Sequence, residues 1–381
     1  MSKSSRQGTD GLTAAADPDS LPGWPQPRET PRLFGHAGAY ARFAETAASG
    51  RLHHAWLVCG PPGIGKATFA YALARGILGG DFPAAAGGAV HFEADTPLFR
   101  QIASLAHPGL FALRRALQSG GKAAQVIPVE EIRRLKHFFE TTAASPWRVV
   151  IIDEANHLNA SAANALLKLL EEPPPRSLFL LLSSAPARLP ATIRSRCLRL
   201  ALQPLAAGEL RRTVDCLCAD MQREPPAAAD FESLAWLAQG SPRRVLEMLD
   251  AKTAELFALT IRIINALPRL DHEAVLELID KAAGQPERTA SVLDMMERCL
   301  QDVCWQASGK TSHTAARIGL NVSSGLAHPS NLALLAGVWE RMNRSRAEAE
   351  RLNLDRSAVL LTVFADLQSA SSRAHRDHSR T

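Results

Sequence analysis

The chain has 381 residues, room for two or three domains of ordinary size. Hydrophobic residues make up 46% and charged residues 21%, which excludes wholesale disorder, and the 6% of aromatics favours helices over an all-β sandwich. The formal charge of +5 permits contact with nucleic acid without requiring it.

Residues 1–30 are rich in Ser, Gly, Asp and Pro and lack periodicity, so a disordered tail is expected there, and again over 370–381. The N-terminal stretch has no apolar segment of the signal-peptide kind, and no apolar run reaches the eighteen or so residues of a membrane span. The cysteines at 59, 197, 216, 218, 299 and 304 form no CxxC pair and no Cys/His cluster of zinc spacing. A reducing, cytoplasmic compartment is therefore expected, with no metal site and no zinc.

From 31 to 203 short apolar runs alternate with helical stretches. HAWLVCG (54–60), RVVIIDEA (148–155) and SLFLLLSSA (177–185) are each too short for a helix and bounded by turn residues, so they read as buried strands. Helical patterns follow at 66–78 and over SAANALLKLLEEPPP, which Pro173 stops. Such alternation implies an α/β module with a parallel sheet and flanking helices.

GPPGIGKAT, Gly60 to Thr68, follows the first strand and opens a helix, the context in which a phosphate-binding loop is credible. Gly60, Gly63 and Gly65 let backbone N–H groups turn toward a phosphate, the helix N-terminus adds partial positive charge, and Lys66 would reach the β- and γ-phosphates. The position after the lysine normally carries a hydroxyl that helps hold Mg²⁺. Here it is Ala67; the hydroxyl comes one residue late, at Thr68, rotated by about 100°. Metal-assisted hydrolysis is thereby in question. Asp153 and Glu154 end the second strand, at the sheet edge where ligands bind, and suit water-mediated Mg²⁺ positioning and polarisation of an attacking water.

From 204 onward strands disappear. Helical periodicity fits 206–221, 230–238, 242–251, 254–267, 271–283, 287–307, 331–348 and 355–369. Leu293, Met296, Leu300 and Val303 share one face, and Leu335, Val338, Trp339 and Met342 are expected to be buried on another.

Gly60–Lys66, VVIIDEANHL, NALLKLLEEPPP and PARLPATIRSRC together resemble the clamp-loader branch of the AAA+ ATPases. The resemblance implies an AAA+ module at 31–203, a small helical lid at 204–252 and an all-α collar at 253–369 that joins subunits in a ring. It implies that Arg196, in the SRC triplet Ser195–Cys197, is an arginine finger for a neighbouring subunit's ATP site, a role suited to a permanently charged, bidentate phosphate binder. It places Ser184 at sensor 1 and Arg243 at sensor 2, with Arg244 as a rival. It also implies ATP with Mg²⁺ as the ligand, which Ala67 leaves open. GRLHHAWLVCGPPGIGK and HPGLF are similar to the delta-prime class of bacterial DNA polymerase III subunits. Ala67 beside an intact Arg196 fits a stator that gives a finger while hydrolysing little ATP itself. Expected partners are the gamma/tau and delta subunits, the sliding clamp indirectly, and primed DNA through phosphate contacts. The alternative is an active AAA+ ATPase, a motor subunit or remodeller; a P-loop kinase or GTPase is disfavoured, because no guanine-reading NKxD follows.

Residues 106–148 hold Arg114, Arg115, Lys122, Arg133, Arg134, Lys136 and Arg148 against Glu130, Glu131 and Glu140, a local excess of +4. Two readings stand: a phosphate-contacting face, or a solvated helix face with i,i+4 pairs such as Glu130–Arg134, the simpler of the two. Ile132, Leu135, Phe138 and Phe139 point inward on that helix.

Overall fold

A computed structural model describes residues 20–116, 124–141, 145–249, 251–282, 286–310, 319–320, 326–352 and 356–378. Within them the chain forms two compact units. One takes residues up to Pro225 together with Gln239–Arg243; the other takes Pro226–Ala238 and Arg244 onward.

In the first unit the order is β1 Arg32–Phe34, α1 Ala37–Ala48, β2 Ala55–Cys59, α2 Lys66–Gly79, β3 Ala89–His91, α3 Pro97–Ala103 and β4 Leu110–Leu113. There follow α4 Val129–Glu140, β5 Arg148–Ile152, α5 Ala160–Glu171, β6 Ser177–Ser183, α6 Ala191–Arg194, β7 Leu198–Ala201 and α7 Ala207–Asp220. Five strands form one sheet in the order β4-β5-β6-β2-β7, every neighbouring pair parallel. β1 and β3 pair antiparallel in a separate ribbon.

The three strands read from the sequence are the centre of this sheet. Alternate residues of β2, β5 and β6 enter opposite layers: Trp56, Val58, Val149, Ile151, Leu178, Leu180 and Leu182 pack with α1 and α2. Ala55, Leu57, Cys59, Val150, Ile152, Phe179 and Leu181 pack with α4 and α5. Burial on both faces is why these segments read as continuous apolar runs. α5 begins at Asn159, whose side chain accepts from Ala162 N–H at 2.8 Å, and ends before Pro173.

The expected tail to residue 30 is corrected from residue 20 on. Arg28 is 1% exposed and its Nε donates to Ala103 O at 2.7 Å. Arg75, 3% exposed on α2, donates to the carbonyls of Arg28 and Thr30 and lies 4.2 Å from the Phe99 ring centroid. Two buried guanidiniums bonded to carbonyls, one of them over an aromatic face, thus hold this strap on the module. Residues 1–19 lie outside the described residues.

The second unit contains α8 Ala228–Ala238, the part of α9 (Pro242–Met248) from Arg244, α10 Ala251–Asn265, α11 His272–Ala282, α12 Pro286–Ala307, α13 Leu332–Leu352 and α14 Arg356–His378. Its core includes Leu293, Met296, Leu300, Val303, Leu335, Val338, Met342, Leu360 and Phe364. Trp339 departs from the expected buried face: it is 39% exposed, and its Nε1 donates to Glu297 Oε1 at 3.3 Å. The expected tail at 370–381 is corrected as well, because α14 runs to His378 and buries Ala370, Ser371 and Ala374. The division between units also differs from a lid at 204–252. α7 belongs with the first unit, where Arg32 reaches Asp220 at 3.3 Å, whereas α8 belongs with the second.

Candidate functional site

β2 and β6 lie side by side with Cys59 opposite Ser183, and the chain leaves β2 into the glycine loop. Gly60 N–H donates to Ser183 O at 3.3 Å. A Cβ at Gly60 would stand 2.6 Å from Ile64 Cδ1 and 2.8 Å from Leu202 O, so no side chain fits. Gly63 and Gly65 have φ of +74° and +100°, backbone that favours glycine. Gly65 caps α2, and nothing lies within 4 Å of where its Cβ would be, leaving open space before the helix N-terminus.

Lys66 Nζ donates to Gly60 O at 3.0 Å and Pro61 O at 2.8 Å, folding back on the loop. Burial holds its amine below the usual lysine range, while the charges of Asp153 and Glu154 pull the other way. Ala67 packs against the core layer of α2, and Thr68 is half-buried one position further on. His36, which the sequence reading missed, braces the loop. Its Nε2 is 2.9 Å from Ile64 O and its ring meets Phe69 edge-on, with centroids 6.1 Å apart. The visible signal for it is only Gly35-His36 ahead of a helix.

The acid pair sits two strands away. Asp153 N–H donates to Leu113 O at 2.9 Å, and Asp153 Oδ1 accepts from Glu154 N–H at 3.0 Å. Glu154 adopts φ +51° and its Oε2 is ion-paired with Arg115 Nε. Burial lowers the pKa of Arg114, and the nearby Asp153 charge counters that shift. Ser184 leaves β6 half-buried, but the hydroxyl engaged at this edge is that of Ser183. It donates to Asn156 Oδ1 at 2.9 Å and accepts from Ala185 N–H at 3.2 Å.

The rivalry between Arg243 and Arg244 separates by position. Arg243 N–H donates to Gly63 O at 3.3 Å, and a Cβ at Gly63 would meet Arg243 Cβ at 2.8 Å. Arg244 is ion-paired with Asp294 at 2.9 Å, within the helical unit.

Arg196 lies on the turn between α6 and β7, away from the loop in sequence and at a sheet edge. Its Nη1 donates to Thr192 O at 2.9 Å, and its Nη2 is 2.7 Å from Glu171 Oε1 at the end of α5. The two side chains are 36% and 47% exposed. Burial pushes the neighbouring Cys197 thiol up to about 12, so it is not a thiolate near neutrality.

On α4 the charges pair as Glu130–Arg133 at 3.7 Å and Glu131–Arg134 at 3.1 Å, not as the expected Glu130–Arg134. Phe138 and Phe139 join a ring series from Phe111 to Phe179, with centroids 5.3–5.7 Å apart, which is core packing. Among the described residues no group of three or more His, Cys, Asp or Glu gathers to hold a metal, and no helix is long and apolar enough to cross a membrane.

Residues 35–206, nearly the whole α/β module, match the family described as DNA polymerase III, delta subunit. The DNA polymerase III subunit delta' of Pseudomonas aeruginosa is 38% identical over 191 residues, covering 50% of this chain and 53% of that one. Subunit tau of Escherichia coli is 28% identical over 296 residues, 74% of this chain and 42% of the relative. Subunit tau/gamma of Haemophilus influenzae is 30% identical over 239 residues, 60% and 31% respectively. The α/β module of this chain is thus similar to that of clamp-loader subunits of DNA polymerase III. The chain spans about half or less of the length of these curated relatives.

The loop fits a phosphate. Positive-φ glycines, open space before the α2 N-terminus and Lys66 are all present. The fit to the accompanying Mg²⁺ is poorer. Ala67 offers no hydroxyl, and Glu154 is already engaged by Arg115.

Proposed function

We propose that this chain is the stator, or delta-prime, subunit of a bacterial DNA polymerase III clamp loader. In this reading it sits in the cytoplasm, docks with gamma/tau and delta subunits through the helices of 253–369, and helps place the sliding clamp on primed DNA. Arg196 enters a neighbour's ATP site. The observation that carries the reading is Arg196 itself: a guanidinium partly exposed on a surface turn, in a chain whose own loop has Ala67 at the hydroxyl position. An arginine supplied in trans stabilises charge on a transferring phosphoryl group and contributes on the order of 10³–10⁵ in rate.

This chain's own residues divide the work. Gly60, Gly63, Gly65 and Lys66 would bind a nucleotide's phosphates, with Ser184 and Arg243 at the rim. When bound, Mg²⁺ would screen phosphate charge, and in this reading Asp153 would orient its water shell. Glu154, paired with Arg115, is held back from acting as a base. The paired charges of α4 leave phosphate contacts with DNA a minor part of the reading.

The test is a clamp loader reconstituted with the Arg196→Ala chain. Assembly should persist while DNA-stimulated ATPase falls by about 10²-fold or more; unchanged ATPase and clamp loading overturn the reading. Intact Lys66 and Asp153 favour a second reading, an active ATPase. ATP turnover by the isolated chain, lost in Lys66→Ala, would support that reading against the stator.

A further inference from the structure

Glu171 stands where a helix tolerates a carboxylate least. It is the last residue of α5, followed by Glu172, at the end whose free carbonyls carry partial negative charge. Its partner is Arg196, which comes from a different element, 25 residues later in the chain. That guanidinium is fixed twice, by Glu171 through Nη2 and by Thr192 O through Nη1. An arginine side chain has many rotamers, and two anchors on two elements select one of them. With a longer contact from Nη1 to Ser195 Oγ at 3.5 Å, three of the five N–H donors of the guanidinium are used, and the side chain remains 36% exposed, so donors are left for an incoming anion.

We infer that Glu171 is a positioning residue that orients Arg196 for a phosphate group on a neighbouring subunit. The inference rests on the reading of Arg196 as a finger. Glu171 touches no reactant; it acts by removing rotamer freedom before the neighbour arrives, which lowers the entropy lost on docking. An exposed ion pair of this kind is weak, whereas a guanidinium–phosphate contact in a closed interface is strong. The pair therefore sets direction without holding the arginine back.

The experiment uses the reconstituted clamp loader carrying Glu171→Ala, Glu171→Gln, Arg196→Ala or both alanines, with assembly checked by gel filtration and ATPase measured against ATP concentration. Glu171→Ala should lower kcat about 3- to 10-fold with KM for ATP unchanged, since the neighbour's own loop holds the ATP. Glu171→Gln, which keeps an acceptor of the same length, should fall between. In the Arg196→Ala background Glu171→Ala should have no further effect, which a merely structural role of Glu171 would not produce. A depressed Arg196→Ala enzyme with Glu171→Ala at the parent rate overturns the positioning role alone, as does a kcat that rises. Parent activity in Arg196→Ala overturns the finger reading and this role together.

Discussion

The Nε of Arg115, two residues beyond β4, is ion-paired with Oε2 of Glu154, two residues beyond β5. Register explains the meeting. Leu113 is the partner of Ile152 in the parallel ladder, so continuing both chains outward sets Arg114 against Asp153 and Arg115 against Glu154. The acid edge of the sheet is matched, residue for residue, by a basic one.

Arg115→Ala should destabilise the first unit by about 1–3 kcal/mol, because the pair is only partly exposed. Glu154→Ala should cost less, and the double variant less than the sum of the two. Urea unfolding of the four proteins measures the coupling. Strict additivity would show that the contact contributes nothing.

Ala67→Ser restores a hydroxyl beside Lys66. Nucleotide affinity in the parent should change little when EDTA replaces Mg²⁺, and in Ala67→Ser it should weaken about 10-fold. A fluorescent ATP analogue titrated under both conditions decides it; a parent already strongly dependent on Mg²⁺ removes the significance given to Ala67.

Burial holds the His36 imidazole below its ordinary value of 6.5, against opposing effects of the Ile64 carbonyl and the Glu209 charge. Between the folded and unfolded values the unfolded chain binds more protons, so stability rises with pH there and is lost as pH falls from about 7 toward 5. His54 and His107 shift the same way. His36→Asn does not titrate in this range and tolerates φ +53°. Its Tm should fall less than the parent's between pH 7.5 and pH 5.5. An identical fall in the two proteins rejects the assignment.

In the helical unit, Phe364 is 1% exposed and Trp339 39%. Phe364→Ala should cost about 3–5 kcal/mol, whereas Trp339→Phe, which loses one hydrogen bond and little buried area, should cost about 1 kcal/mol or less. Guanidinium unfolding monitored by circular dichroism compares them; similar losses would contradict the packing described.

The centre of the sheet was legible because β2, β5 and β6 are buried on both faces and so spell apolar runs. β1, β3, β4 and β7 were not: each is three or four residues long, and β7 shows only Leu200 buried. The end of α14 was misread because its inward residues are Ala370, Ser371 and Ala374, too small to produce a hydrophobic stripe. Trp339 was misread because indole has an apolar body and a polar tip, and the tip wins at this position. The glycine loop, Asp153, Glu154 and Arg196 announce themselves through residue type and spacing. Glu171, Arg115 and His36 do not, because their significance lies in which distant residue each one meets.

The helical unit draws its residues from both sides of Gln239–Arg243, a segment that belongs to the first unit, where Ser241 and Arg243 lie on Gly63. No single peptide bond can therefore be severed to give two whole halves. A break after Pro225 strips the phosphate loop of its Ser241 and Arg243 neighbours; a break after Arg243 deprives the helices of α8. A single cut therefore leaves one unit incomplete, whichever side of the segment it falls on.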